Sequence, residues 1–229
     1  MTVIEKNLKE IFSEISQGND RGEQITLLGA TKYVPVEKIN EAIGAGLNVI
    51  GENHAQEFRD KLPFYSPCEK HFIGSLQKNK LKYIVGKADV IDSVSSEPLA
   101  FSINEKAESL GVVQKIMLEI NAGEEESKTG VSIKEAKPLY KSIIAYKNLE
   151  LTGVSVMLPK GKDEEELAAL CRRVRDFYDE IKLSEQSVKT LSMGMSDDYK
   201  TAIKNGSNEI RLGRAIFGER PTATTKEKI

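Results

Sequence analysis

The sequence predicts a single (β/α)8 barrel of the TIM type with an extra N-terminal helix, and three observations predict it. Eight short apolar stretches recur along the 229 residues, charged segments with helical apolar spacing separate them, and no glycine- or proline-rich linker divides the chain. A doubly wound open sheet shares the alternation, since a strand count does not show closure. A chain of this length holds one such domain. The barrel is expected over residues 1–220, and residues 221–229, with little to bury, are expected to be a disordered tail.

Val3, Leu8, Ile11, Phe12 and Ile15 recur at helical spacing and predict the opening amphipathic helix. The first strand is read over 25–34 (ITLLGATKYV) and the helix VEKINEAIGAG follows it; strands two to four are read over 48–53, 70–74 and 89–94. Strand five is read over 113–121 (VQKIMLEIN), the helix IKEAKPLYKSIIAYK follows, and strand six is read over 149–158. After the helix DEEELAALCRRVRDFYDEI, strands seven and eight are read over 190–196 (TLSMGMS) and 209–217 (EIRLGRAIF). The acidic run KDEEEL reads as an exposed helix start.

Composition narrows the partners. Lys and Arg number 33 against 35 Asp and Glu, so net charge points neither to nucleic acid nor to an anionic membrane surface, and a small molecule is the expected partner. Cys68 and Cys171 stand far apart, which argues against a disulfide framework and against a thiolate metal site. The first residues are acidic and helical in spacing where a signal peptide needs a continuous apolar run, and no long apolar span follows. A cytoplasmic protein is expected.

Lys32 raises the functional question. On a strand running through Val34 it shares a face with Leu28, Ala30 and Val34, and an ammonium there must be paired or neutralised. Barrel active sites lie at the C-terminal strand ends, with phosphate often held after strands seven and eight. In SMGMSDDYKTAIKNG, Gly194 permits close backbone approach and Ser196 can open a helix with its hydroxyl and nearby amides free; a bare cap, with Asp197 and Asp198 complementing the helix dipole, fits the same residues. In strand eight Arg211, Gly213 and Ala215 are expected on one face, leaving room for a planar ligand, with Gly213 exposing amides for a phosphate; Arg211 could equally pair with Glu119. A phosphate-bearing aldehyde bound between strands one, seven and eight would convert Lys32 to an imine. Aldehyde, ring and phosphate together describe pyridoxal 5'-phosphate.

The motifs ATKYV, GENHAQEF, HFIGSLQKNK, INAGEEESKTGV, SMGMSDDYKTAI and EIRLGRAIFGER, in that order over nearly the whole chain, resemble those of the pyridoxal phosphate homeostasis proteins. The resemblance implies a barrel like the N-terminal domain of alanine racemase. It also implies that Lys32 carries the cofactor as an internal aldimine, that Ser196 is associated with its phosphate, and that Arg211 and Gly213 belong to the site. Arg214 stands where this family commonly has threonine. Asn53 could line the cofactor rim or cap the following helix. His54 and His71, without clustered carboxylates, make no metal site, and Lys128 reads as part of a solvated turn.

Pyridoxal enzymes usually place an acid on the ring nitrogen, and the resemblance implies that Arg211 stands there instead. Racemisation further needs an acid and a base on opposite faces, and the racemase draws one of them from a C-terminal domain without counterpart in this sequence. The expectation is therefore a non-catalytic, monomeric carrier that buffers the cofactor and delivers it to apo-enzymes. A small pyridoxal-dependent amino-acid racemase is the alternative, and a Schiff-base aldolase on a phosphorylated sugar is a third reading.

Overall fold

A computed structural model of the chain describes residues 1–219, so the tail expected over 221–229 lies outside the described residues. Eight parallel strands close in chain order into a barrel: β1 (Thr26–Ala30), β2 (Val49–Glu52), β3 (Glu69–Phe72), β4 (Val90–Val94), β5 (Gln114–Asn121), β6 (Leu149–Met157), β7 (Thr190–Met193) and β8 (Glu209–Leu212). Closure is made where β1 pairs with β8, Leu28 opposite Arg211 and Gly29 opposite Leu212, while β1 also pairs with β2. The open-sheet alternative is thereby excluded.

The helices form where the sequence supplies both an apolar stripe and a cap. Helix α1 (Val3–Ile15) buries Ile4, Leu8, Ile11 and Ile15, and a capping box between Thr2 and Glu5 satisfies amides of its first turn. Helix α2 (Val36–Gly44) follows β1, and α3 (Ala55–Lys61) follows β2. The one-turn α4 (Leu81–Ile84) precedes β4, and α5 (Glu97–Leu110) precedes β5. Ser132 with Glu135 and Asp163 with Glu166 make further capping boxes at α6 (Ile133–Ile143) and α7 (Glu164–Ser184). Two short helices, α8 (Tyr199–Lys204) and α9 (Arg214–Phe217), follow β7 and β8.

Leu27, Ile210 and Leu212 point outward into an apolar cluster with α1, α2 and α9; a larger cluster packs the other helices on the remaining strands. At roughly 1.5–3 kcal/mol per fully buried large apolar side chain, this outer shell supplies most of the stabilisation. The inside of the barrel differs from the branched apolar filling usual for such folds. His71, Asp92, Glu119, Ser155, Ser192, Glu209 and Arg211 are each at most 6% exposed. Polar groups at that depth are costly unless partnered, so their arrangement is where function is sought.

Several strands end earlier than the sequence suggests, β7 at Met193 instead of Ser196 among them, and for β1 and β8 the difference bears on the candidate site. β1 stops at Ala30 instead of running through Val34, because Val34 N donates to Thr31 O at 3.0 Å and closes a turn. Lys32 is therefore a half-buried turn residue and shares no strand face with Leu28 and Ala30. β8 stops at Leu212, so Gly213 and Ala215 are not on a strand face with Arg211: Gly213 caps α9 and Ala215 lies within it.

Candidate functional site

The C-terminal ends of the strands surround a cleft of about 450 Å3, within the range of small-molecule sites. Ala30, Asn53, Ile73, Met157, Ser196, Arg211 and Gly213 line it, and Lys160, Asp197 and Arg214 stand around it. Four of the five residues singled out from the sequence, Asn53, Ser196, Arg211 and Gly213, thus meet in one cleft. The fifth, Lys32, lies two residues beyond Ala30, at the same end of the barrel.

Arg211 is fixed from below. Its Nη1 donates to the Ser192 carbonyl and to Ser192 Oγ, both at 2.7 Å, and its Nη2 donates to the Val156 carbonyl at 2.7 Å. The carboxylate partner considered from the sequence is not used. Glu119 Oε1 accepts from Thr129 Oγ1 at 2.9 Å, its Oε2 has no hydrogen-bond partner among the described residues, and burial pushes its carboxyl above the usual range. Among the described residues no Asp or Glu makes a direct ion pair with Arg211; Glu119, Asp198 and Glu209 act on its charge only from a distance, so the guanidinium in the floor of the cleft is held by neutral acceptors.

The β7–α8 and β8–α9 turns supply the other end. Gly194, at φ +106°, brings the first turn against α8 so closely that a Cβ there would meet Ala202 Cβ and Tyr199 Cα at 2.8 Å. Ser196 does not cap α8, since Asp198 precedes its first residue and accepts from Met195 N. The hydroxyl of Ser196 and the amides of Ser196, Asp197, Gly213, Arg214 and Ala215 carry no hydrogen-bond partner among the described residues. Arg214 reaches Asp197 at 3.5 Å, an exposed pair worth little to stability.

The Lys32 turn is held by residues the sequence reading did not single out. Tyr33, at φ 63°, occupies the left-handed region that the third position of such a turn requires, and its N–H donates to Glu57 Oε1 at 2.8 Å. Lys61 Nζ donates to the Thr31 carbonyl at 3.0 Å and to Glu52 Oε2 at 3.1 Å, and it also pairs with Glu57. Burial works against ionisation of Glu57, yet bonds from Lys61, Tyr33 and His54 hold its carboxyl below the usual range. Lys32 Nζ itself lies 5.0 Å from the Tyr33 ring centroid. The i, i+4 spacing of Glu57 and Lys61 on α3 was a legible signal; their reach to the β1 turn was not.

Asn53 does not cap α3, because His54 takes the cap position; His54 Nδ1 instead pairs with Glu57 at 3.2 Å. Asn53 is positioned by Gly74, where a Cβ would fall 1.9 Å from the Asn53 carbonyl oxygen. Gly74→Ala is accordingly expected to force these two backbones apart and to cost at least about 3 kcal/mol, beyond ordinary overpacking. Chemical denaturation should register that loss. A variant as stable as the parent would show that the contact relaxes freely.

Lys128 is not a solvated turn residue: it is 15% exposed, donates to the Leu158 carbonyl at 2.8 Å and pairs with Glu125. The barrel also gathers carboxylates about His71 that the sequence leaves scattered. Nδ1 lies 2.9 Å from Asp92 and Nε2 3.2 Å from Glu69, with Glu209 close by. Cys68 and Cys171 are both free, and no helix among the described residues is long and apolar enough to cross a membrane.

Residues 25–221 match the family described as alanine racemase, N-terminal domain. The chain is 38% identical over 204 residues to the pyridoxal phosphate homeostasis protein of Aquifex aeolicus, covering 87% of this chain and 90% of that one. It is 34% identical over 230 residues to the protein of that name from Schizosaccharomyces pombe, covering 97% and 95%. Among solved structures, PipY of Synechococcus elongatus with PLP bound superposes with a TM-score of 0.81 at 28% identity, over 94% of this chain and all of that one. An alanine racemase from Clostridium difficile, at 15% identity and a TM-score of 0.78, shares the fold over 61% of its own length.

Proposed function

The chain belongs to the family of the pyridoxal phosphate homeostasis proteins, built on the alanine racemase N-terminal domain, and from that premise we propose that it holds pyridoxal 5'-phosphate in the C-terminal cleft. In this reading Lys32 Nζ condenses with the aldehyde to an imine, releasing water, and hydrolysis returns the free aldehyde. The protein is then a reversible store of a reactive cofactor.

The observation that carries this reading is the set of unpartnered donors at one end of the cleft. The Ser196 hydroxyl and the amides of the β7–α8 and β8–α9 turns have no acceptor within the described residues, and a phosphate dianion supplies acceptors of the right charge. Arg211 sits deeper, held by Ser192 and Val156, where a ring nitrogen could accept its bond. A guanidinium opposes protonation of that nitrogen and with it the electron-withdrawing chemistry the cofactor supplies when bound to enzymes. Of the groups that could pass a proton at a substrate carbon, the described lining holds Lys160 and Asp197 and no histidine, tyrosine or cysteine. These features favour a carrier over a catalyst.

The test is reduction and mapping. Protein incubated with pyridoxal 5'-phosphate should show a visible imine band that borohydride abolishes, and the reduced adduct should map to the Lys32 peptide. Deuterium exchange at the α-carbon of amino acids should stay at background; robust exchange would replace the carrier with the racemase. A protein that takes up no cofactor would refute the assignment outright. The same reading includes a monomer in the cytoplasm that passes cofactor to apo-enzymes. Activation of an apo-enzyme no faster than free dissociation would reduce it to a buffer.

A further inference from the structure

At the opposite end of the barrel lies a second cavity, about 250 Å3, lined by Glu69, His71, Glu209 and the strand starts around them. It does not touch the residues of the cofactor cleft. His71 on β3, Asp92 on β4 and Glu209 on β8 converge inside the barrel, each no more than 3% exposed, with one potential ligand atom of each lying within 4.8 Å of the others. Glu209 Oε1, fully shielded from solvent, has no hydrogen-bond partner among the described residues. A carboxylate oxygen left bare at that depth is costly unless a further group completes it.

We propose that His71, Asp92 and Glu209 form a binding site for one divalent first-row transition-metal ion, entered from the N-terminal cavity and separate from the cofactor cleft. The ligand chemistry is one imidazole nitrogen and two carboxylates, without thiolate, which suits ions of the Zn2+, Co2+ or Mn2+ kind better than soft metals. Two carboxylates match the charge of a divalent ion once the imidazole has given up its proton. Glu69 supplies the outer support. Its Oε1 lies 3.2 Å from Nε2 and accepts that N–H, while the proton that Nδ1 shares with Asp92 at 2.9 Å is the one a bound metal would displace, giving a carboxylate–histidine–metal arrangement. Bonds of roughly 2.0–2.2 Å require the Nδ1–Asp92 contact to open slightly and Glu209 to draw in, and water from the cavity would fill the remaining positions.

The other carboxylate–histidine group, Glu52, His54 and Glu57, lies at the cofactor end, but Lys61 already bridges its two carboxylates. It therefore serves as the internal control. Cofactor-free, full-length protein, stripped with chelator, is titrated with Zn2+ by calorimetry and with Co2+ by visible absorption. One equivalent of Zn2+ should bind saturably, with proton release and d–d bands for Co2+. Glu209→Gln, nearly isosteric, should weaken binding by a hundredfold or more, and Glu69→Gln by about tenfold, whereas His54→Asn should leave it unchanged. His71→Asn provides a second ligand variant, and melting curves establish that each variant is folded. Absence of saturable binding in the parent, or equal affinity in folded Glu209→Gln and His71→Asn, would overturn the site. Loss of binding in His54→Asn would reassign the metal to the other cluster. None of these readouts depends on the cofactor, so the outcome is independent of the proposed carrier role.

Discussion

Replacing Lys32 by alanine is expected to abolish the reducible visible band completely while leaving the fold intact. Lys32 lies half-buried in the turn after β1, and its one described contact is the Tyr33 ring at 5.0 Å. An exposed cation–π contact contributes about 0.5–1 kcal/mol, so the melting midpoint should move by no more than about 2–4 °C in a chain of this size. Lys32→Arg should keep that contact yet fail equally to form the imine, because a guanidinium stays protonated and offers no amine nucleophile. The pair of variants separates nucleophile from charge. Lys160 is the informative competitor, since it also lines the cleft. Should the band survive in Lys32→Ala and the reduced adduct map to Lys160, the covalent assignment moves there. The unpartnered phosphate-side donors should still give residual, non-covalent uptake in Lys32→Ala, detectable by equilibrium dialysis.

The barrel was legible because its strands are short apolar runs and its helices carry stripes and caps, as at Thr2, Ser132 and Asp163. Where β1 ends was not legible. A turn needing φ > 0 usually advertises itself with glycine or asparagine, whereas here Tyr33 takes that conformation under restraint from Glu57, which lies on a later helix. The end of β8 was obscured in the same way, because an apolar run through Phe217 reads alike as strand or as one turn of helix. Of the site, Ser196, Arg211 and Gly213 were legible as small or basic residues in otherwise apolar strand ends. The acidic surroundings of His71 were invisible, because only closure of the barrel brings Asp92 and Glu209 to it.

The second large effect concerns the closure itself and should appear in Arg175→Met. Arg175, on α7 and 5% exposed, donates to Glu23 Oε2 at 2.7 Å, to the Gly206 carbonyl at 2.7 Å and to Asp179 at 2.9 Å. It thereby ties α7 to the segment leading into β1 and to the turn leading into β8, the two strands that close the barrel. Removing the guanidinium leaves Glu23 to Asn19 and Lys182 alone and the Gly206 carbonyl and Asp179 without their donor, a loss of about 3 kcal/mol and roughly 6–12 °C in melting midpoint.

The pH dependence discriminates this ion pair from plain packing. Burial alone would raise the Glu23 carboxyl, but bonds from Arg175, Asn19 and Lys182 outweigh it and hold the group at about 2 against its ordinary 4.5. A folded-state value below the unfolded one means that the unfolded chain binds more protons between these limits. The contribution is therefore fully present above about pH 4.5 and is lost as pH falls towards 2. Glu23 is 23% exposed, so a figure of about 3 kcal/mol from the shift is discounted for screening to roughly 2 kcal/mol. Denaturant unfolding of parent, Arg175→Met and Glu23→Gln at pH 7, 5 and 3 tests this. The gap between parent and Glu23→Gln should persist at pH 7 and 5 and narrow at pH 3; a gap independent of pH would make the contact one of packing only. Because the C-terminal ends of β1 and β8 carry the Lys32 turn and Arg211, a seam loosened at its N-terminal end should also lower cofactor retention, and retention in Arg175→Met should fall with its stability.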